Sequence, residues 1–175
     1  MRQAAIFAAT IMVTGLASAP LFAQDANQPC AERVIPSGIL APWTHPVPAI
    51  AAAEAGQSDA ARIEAGSAVR LSLHPASDVR YVVAPGKPGG SVSYGGMAGL
   101  DIPEAGRYRV ALGSPGWVDI VSNGTAIASV AHGHGPECTG IRKIVDFDLQ
   151  AGSYILQIAA NGEPETNVLV VPVRQ

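Results

Sequence analysis

From Gly66 onward the hydrophobic positions recur every second residue rather than every 3.6. Val69, Leu71 and Leu73 alternate with Arg70, Ser72 and His74, and Val79, Tyr81 and Val83 carry the same period forward. Tyr108, Val110 and Leu112 alternate with Arg107, Arg109 and Ala111. A period of two sends one set of side chains to one face of an extended chain, so these segments read as half-buried strands. Residues 117–122 and 125–130 flank Asn123-Gly124, the dipeptide favoured by a tight type I′ hairpin turn because both of its residues take positive φ. With 141–149, 154–159 and 168–173, the pattern gives about eight short strands separated by turn signals. The predicted fold is all-β: a jelly-roll-like antiparallel β-sandwich over residues 63–175.

The chain before Gly66 reads differently. Pro29, Pro36, Pro42, Pro46 and Pro48 forbid a long helix and bias their predecessors towards extended backbone, so residues 24–48 are expected to be an arm. Residues 49–62 are alanine-rich and broken by Gly56, which predicts one short helix, the single helical candidate, and places the arm's end at 62. Arg2, the apolar stretch 4–16 and the small residues up to Ala23 form a signal-peptide pattern over 1–23. That pattern implies export, with a periplasmic or secreted mature chain. No later run approaches the roughly 20 apolar residues of a membrane span, so no membrane span is expected in the mature chain.

A short echo runs through the strand region. Glu104-Ala-Gly-Arg-Tyr108 and Gln150-Ala-Gly-Ser-Tyr154 share a glycine at the turn and a tyrosine two residues later, which is expected to plant its ring in the core. The runs Ile63-Glu-Ala-Gly-Ser-Ala-Val-Arg-Leu-Ser-Leu73, Ala105-Gly-Arg-Tyr-Arg-Val-Ala-Leu112 and Gly116-Trp-Val-Asp-Ile-Val-Ser-Asn-Gly124 resemble the jelly-roll modules of secreted bacterial enzymes. Those modules include pre-peptidase C-terminal and carbohydrate-binding-like domains. Lys87-Pro-Gly-Gly-Ser-Val-Ser-Tyr-Gly-Gly96 and Ala131-His-Gly-His-Gly-Pro-Glu-Cys-Thr-Gly-Ile-Arg-Lys143 are similar to segments of a group of short exported bacterial proteins. Some of that group carry the name homogentisate 1,2-dioxygenase, which implies a non-haem iron cupin with a His/Glu/His iron site.

Composition narrows the function classes. The formal charge is −3 with 14% charged residues and no basic cluster, so no nucleic-acid partner is expected. The two cysteines, Cys30 and Cys138, are expected to pair in an oxidising compartment and pin the arm to the body.

Histidines supply the sharpest local feature. In extended backbone His132 and His134 would face one way, and with His45 they form a candidate site for zinc, copper or iron, with Glu137 or a reduced Cys138 as a further ligand. The simpler expectation is a site with no cofactor. There Trp117, Asp119, His132, His134, Arg142 and Lys143 converge to bind a small ligand or an envelope component, the two cations suiting an anionic group. A nucleophile set drawn from Ser93, His132 and Asp119 has no elbow motif behind it. Asp146 and Asp148, opposite Ile141, Val145 and Phe147, read as the solvated face of a strand. The glycine runs around Lys87 and Tyr94 read as β-loops bordering a cleft.

Overall fold

The computed structural model describes residues 30–173, and the predicted signal peptide lies outside them. In chain order the strands are β1 (Val47–Ile50), β2 (Arg62–Glu64), β3 (Ala68–Ser72), β4 (His74–Pro75), β5 (Tyr94–Ile102) and β6 (Gly106–Leu112). They continue as β7 (Trp117–Ser122), β8 (Thr125–Ile127), β9 (Ser129–Gly133), β10 (Lys143–Leu149), β11 (Gly152–Asn161) and β12 (Glu165–Pro172). One sheet runs β1-β3-β12-β6-β10-β9; the other runs β2-β5-β11-β7-β8, with β4 on the start of β5.

The nucleus is β3, β12, β6 and β10 facing β5, β11, β7 and β8. Its first strand pairs with its last and so on inward (β3 with β12, β5 with β11, β6 with β10, β7 with β8), which is the winding of a jelly roll. The alternation read from sequence does what it should: Leu71, Leu100, Val110, Leu112, Ile120, Phe147, Leu156 and Val168 fill the space between the sheets. Each such side chain contributes roughly 1.5–3 kcal/mol when fully buried.

Both outer faces are covered by segments whose sequence did not read as cover. A 3₁₀ helix, Gly38–Thr44, lies across the first sheet and sets Leu40 and Trp43 on Ala68, Ala111, Leu169 and Val171. The arm was expected to be extended there. Residues three apart eclipse in a 3₁₀ helix, so Leu40 and Trp43 form one apolar ridge, and burying it outweighs the prolines' extended bias. Trp43 donates its indole N–H to the Thr139 carbonyl at 3.2 Å, and Val34 donates its N–H to the Cys138 carbonyl at 2.9 Å. The Cys30–Cys138 disulfide closes the same junction. The alanine-rich stretch forms a second 3₁₀ turn, Ala55–Ala60, and the stretch read as arm also supplies the edge strand β1.

On the second sheet the cover is residues 76–83, where Val79 packs on Ala52 and Met97 beside Tyr81 and Ile155. The period-two pattern at Val79, Tyr81 and Val83 predicted a strand, but this segment has only the Glu54–Arg80 bridge. A side chain replaces the missing ladder. The buried Gln157 amide accepts from the N–H groups of Val82 (2.7 Å) and Val83 (3.3 Å) and donates to the Val83 carbonyl (3.2 Å). The Tyr81 hydroxyl donates to the Ile158 carbonyl at 3.0 Å, where the β11–β5 register slips between Ile158 and Asn161. Gly95 makes this possible: a Cβ there would sit 1.9 Å from the Tyr81 hydroxyl.

Burial pushes Tyr81 up to about 12. The folded state therefore favours the neutral phenol, and the associated stability is intact below the ordinary value of 10.0 and lost as pH climbs from there through about 12. Alkaline titration followed by phenolate absorbance is expected to show a late-ionising component that is lost in Tyr81→Phe; an unchanged profile would place the phenol in water.

The turn echo has a physical cause too. Tyr108 donates to the Glu104 carbonyl (2.9 Å) and Tyr154 to the Gln150 carbonyl (3.0 Å), so each Ala-Gly turn is tied by a tyrosine four residues ahead. Among the described residues no helix is long and apolar enough to cross a membrane.

Candidate functional site

The hairpin at Asn123-Gly124 creates the site by ending early. Both turn residues have positive φ, +48° and +74°, as the sequence predicted. β8 then stops at Ile127, opposite Ile120, and Ala128 carries the chain across to β9 in the other sheet. Among the described residues, no strand pairs with 117–119 of β7 on that side. Ser122 and Thr125 close the hairpin as a hydrogen-bonded pair, so by alternation Ile120, Val118 and Gly116 aim their N–H and C=O groups the same way. Lys143 Nζ occupies the Gly116 carbonyl at 2.9 Å. The backbone groups of Val118 face a cleft of about 620 Å³ between the two sheet edges.

The cleft has an apolar floor of Val118, Val145 and Phe147, continued by Ala126 and Ile127, and a polar wall of Lys87, Trp117, Asp119, His132 and Lys143. Trp117 organises the wall. Its indole N–H donates to Asp119 Oδ2 at 2.9 Å, and the ammonium groups of Lys143 and Lys87 stand 5.4 and 6.0 Å from its ring centroid, within cation–π range. Gly86 lies flat against the ring, where a Cβ would come within 2.7 Å.

Charge in this wall is held against solvation. Burial pushes the Asp119 carboxyl above its ordinary range, although the Trp117 hydrogen bond and the charge of Lys143 pull it back. Burial also lowers Lys143, and repulsion from Lys87 adds to that, partly opposed by Asp119. Among the described residues, neither lysine has a carboxylate within ion-pair distance. Displaced titrations beside a cleft make these two residues functional-site candidates.

Asp119→Asn keeps an acceptor for Trp117 and removes a half-buried charge. Since the folded state disfavours the ionised form, the penalty exists above the raised value and vanishes as pH falls to the ordinary 3.8. The variant is expected to melt above wild type at about pH 7 and level with it near about pH 3. A lower melting point at neutral pH would assign the carboxylate a structural role.

Of the six residues expected to converge, Trp117, Asp119, His132 and Lys143 line the cleft, while His134 and Arg142 do not. The same-face argument for the two histidines holds only while the strand lasts, and β9 ends at Gly133. Gly135 then presses on Ile141, with a Cβ there 2.4 Å from the Ile141 carbonyl oxygen, and His134 sits exposed with Nδ1 3.4 Å from the Arg142 carbonyl. Arg142, one residue from Lys143, is exposed and gives its backbone N–H to the Leu112 carbonyl. His45 ends the 3₁₀ helix of the arm, exposed, with its N–H on the Pro42 carbonyl. Cys138 is spent in the disulfide. Among the described residues no three His, Cys, Asp or Glu side chains gather for a metal, so His45, His132 and His134 do not make one site. Ser93 Oγ donates to the Gly90 carbonyl at 2.6 Å and is not part of the wall that holds His132 and Asp119.

The loop of Lys87 read from sequence as bordering a cleft, but Lys87 itself was not among the expected site residues. It lies 30 residues before Trp117 in a glycine–proline loop, and nothing local to the loop announces which ring it will reach. No protein-family model and no curated protein matches the chain.

Proposed function

We propose that this chain is an exported, non-catalytic binding module and that the cleft between β7 and β9 receives its ligand. The observation that carries the reading is the wall itself. Lys143 and Asp119 hold half-buried charges at Trp117, above an apolar floor, where burial opposes both. The volume suits a small molecule or one end of an envelope component. The disulfide and the signal-peptide pattern support a periplasmic or secreted setting.

Fragment screening of the oxidised protein, followed by amide chemical shifts, tests the reading. Hits are expected to move the amides of Trp117, Val118, Asp119, His132 and Lys143 and to leave the arm unmoved. A screen that finds nothing at the cleft, or hits confined to the arm junction, would overturn it.

A further inference from the structure

Resting on that reading, we infer that the ligand is an organic anion: an oxyanion head, carboxylate or phosphate, on an apolar body. The wall brings two ammonium groups and an imidazole to one cleft against a single carboxylate. That carboxylate already accepts the Trp117 N–H, and its counter-charges are not within ion-pair distance. Lys143 uses one of its three donors on Gly116, leaving two for a ligand. By strand alternation the N–H of Val118 points to the same side, where no described strand pairs with it, and adds a neutral donor.

An anion between Lys87 and Lys143 would offset their mutual repulsion and favour the charged form of Lys143, which burial disfavours. Beneath it, Val118, Val145 and Phe147 offer an apolar surface that a simple inorganic ion would leave wet. A neutral sugar is a poorer fit, because stacking needs a bare ring and Trp117 already carries Gly86 and two lysines. An added peptide strand fits poorly as well: past Ile120, with Gly116 taken, the edge offers only the backbone pair of Val118.

Matched probes test the class. 1-Naphthoate, 1-naphthyl phosphate and neutral 1-naphthamide are titrated into the oxidised protein, with affinity read by calorimetry and location by amide shifts. At least one anion is expected to bind about tenfold more tightly than the amide, and the advantage to shrink with added salt. The tighter of the two anions separates a phosphate source from a carboxylate source. Lys87→Met and Lys143→Met are each expected to remove most of that advantage, weakening the anions several-fold more than the amide. Lys87 is exposed and makes no hydrogen bond among the described residues, so its variant reports even if Lys143→Met disturbs β10. Equal binding of amide and anions within the cleft would defeat the anion inference and leave the binding-module reading standing. Probes that shift no cleft amide would defeat both.

Discussion

Replacing Cys30 and Cys138 by serine is expected to cost about 4–5 kcal/mol of stability, the largest loss of any change at the arm. The bridge joins residues 108 apart, so its removal frees a long loop in the unfolded chain. The native junction should survive in weakened form, because Trp43 still bonds Thr139 and Leu40 still packs on Leu169. Urea unfolding is therefore expected to show a lower midpoint with a steeper slope, the mark of a more expanded denatured state. Proteolysis should then cut first between residues 30 and 46, while the inter-sheet core, which contains nothing from that segment, resists. A loss below about 1 kcal/mol would mean that the arm is held by packing alone.

Arg109→Leu is expected to cost about 3 kcal/mol, and the reason lies in its partner. Asp146 was expected on the solvated face of its strand, but its side chain is only 8% exposed and takes two parallel hydrogen bonds from Arg109 Nε and Nη2, both at 2.8 Å. Removing the arginine strands a nearly buried carboxylate. Arg107 and Asp148 stand two residues along the same β6–β10 register in the same forked geometry, yet in solvent. Arg107→Leu is expected to change stability little, since exposed pairs contribute little. The double variant Arg109→Leu/Asp146→Leu should recover most of the single variant's loss, which thermal or urea melts on all four proteins will measure. If Arg109→Leu and Arg107→Leu cost the same, burial is not what sets the value of these pairs.

The sandwich was legible because one face of each long strand is uniformly apolar, as in Tyr108, Val110 and Leu112. The hairpin was legible because Asn123-Gly124 fixes its own geometry. β5 was hidden. Gly95 and Gly96 read as loop, yet with Gly99 they sit in a nine-residue central strand on which covering segments press: Tyr81 on Gly95, Ala51 on Gly96 and the Ser58 carbonyl on Gly99. The reason for each glycine lies far away in the chain. The same holds for the 3₁₀ ridge of Leu40 and Trp43, which forms only because Ala68 and Ala111 leave room beneath it. At the cleft, strand phase grouped Trp117 with Asp119, and the expected convergence with His132 and Lys143 rested on the hairpin lying beside the next strand. It failed at His134 and Arg142, where β9 ends and where adjacent residues take opposite faces. The crossing at Ala128 split what read as one strand, 125–130, into β8 and β9, and that split is what opens the cleft.

A crystal of the oxidised protein soaked in 1-naphthoate or 1-naphthyl phosphate puts the cleft to the most direct trial. The naphthyl ring should lie over Val118 and Phe147, with the oxyanion within hydrogen-bonding distance of Lys143 Nζ. An empty cleft at saturating probe, or a probe seated only at the arm junction, would contradict the account.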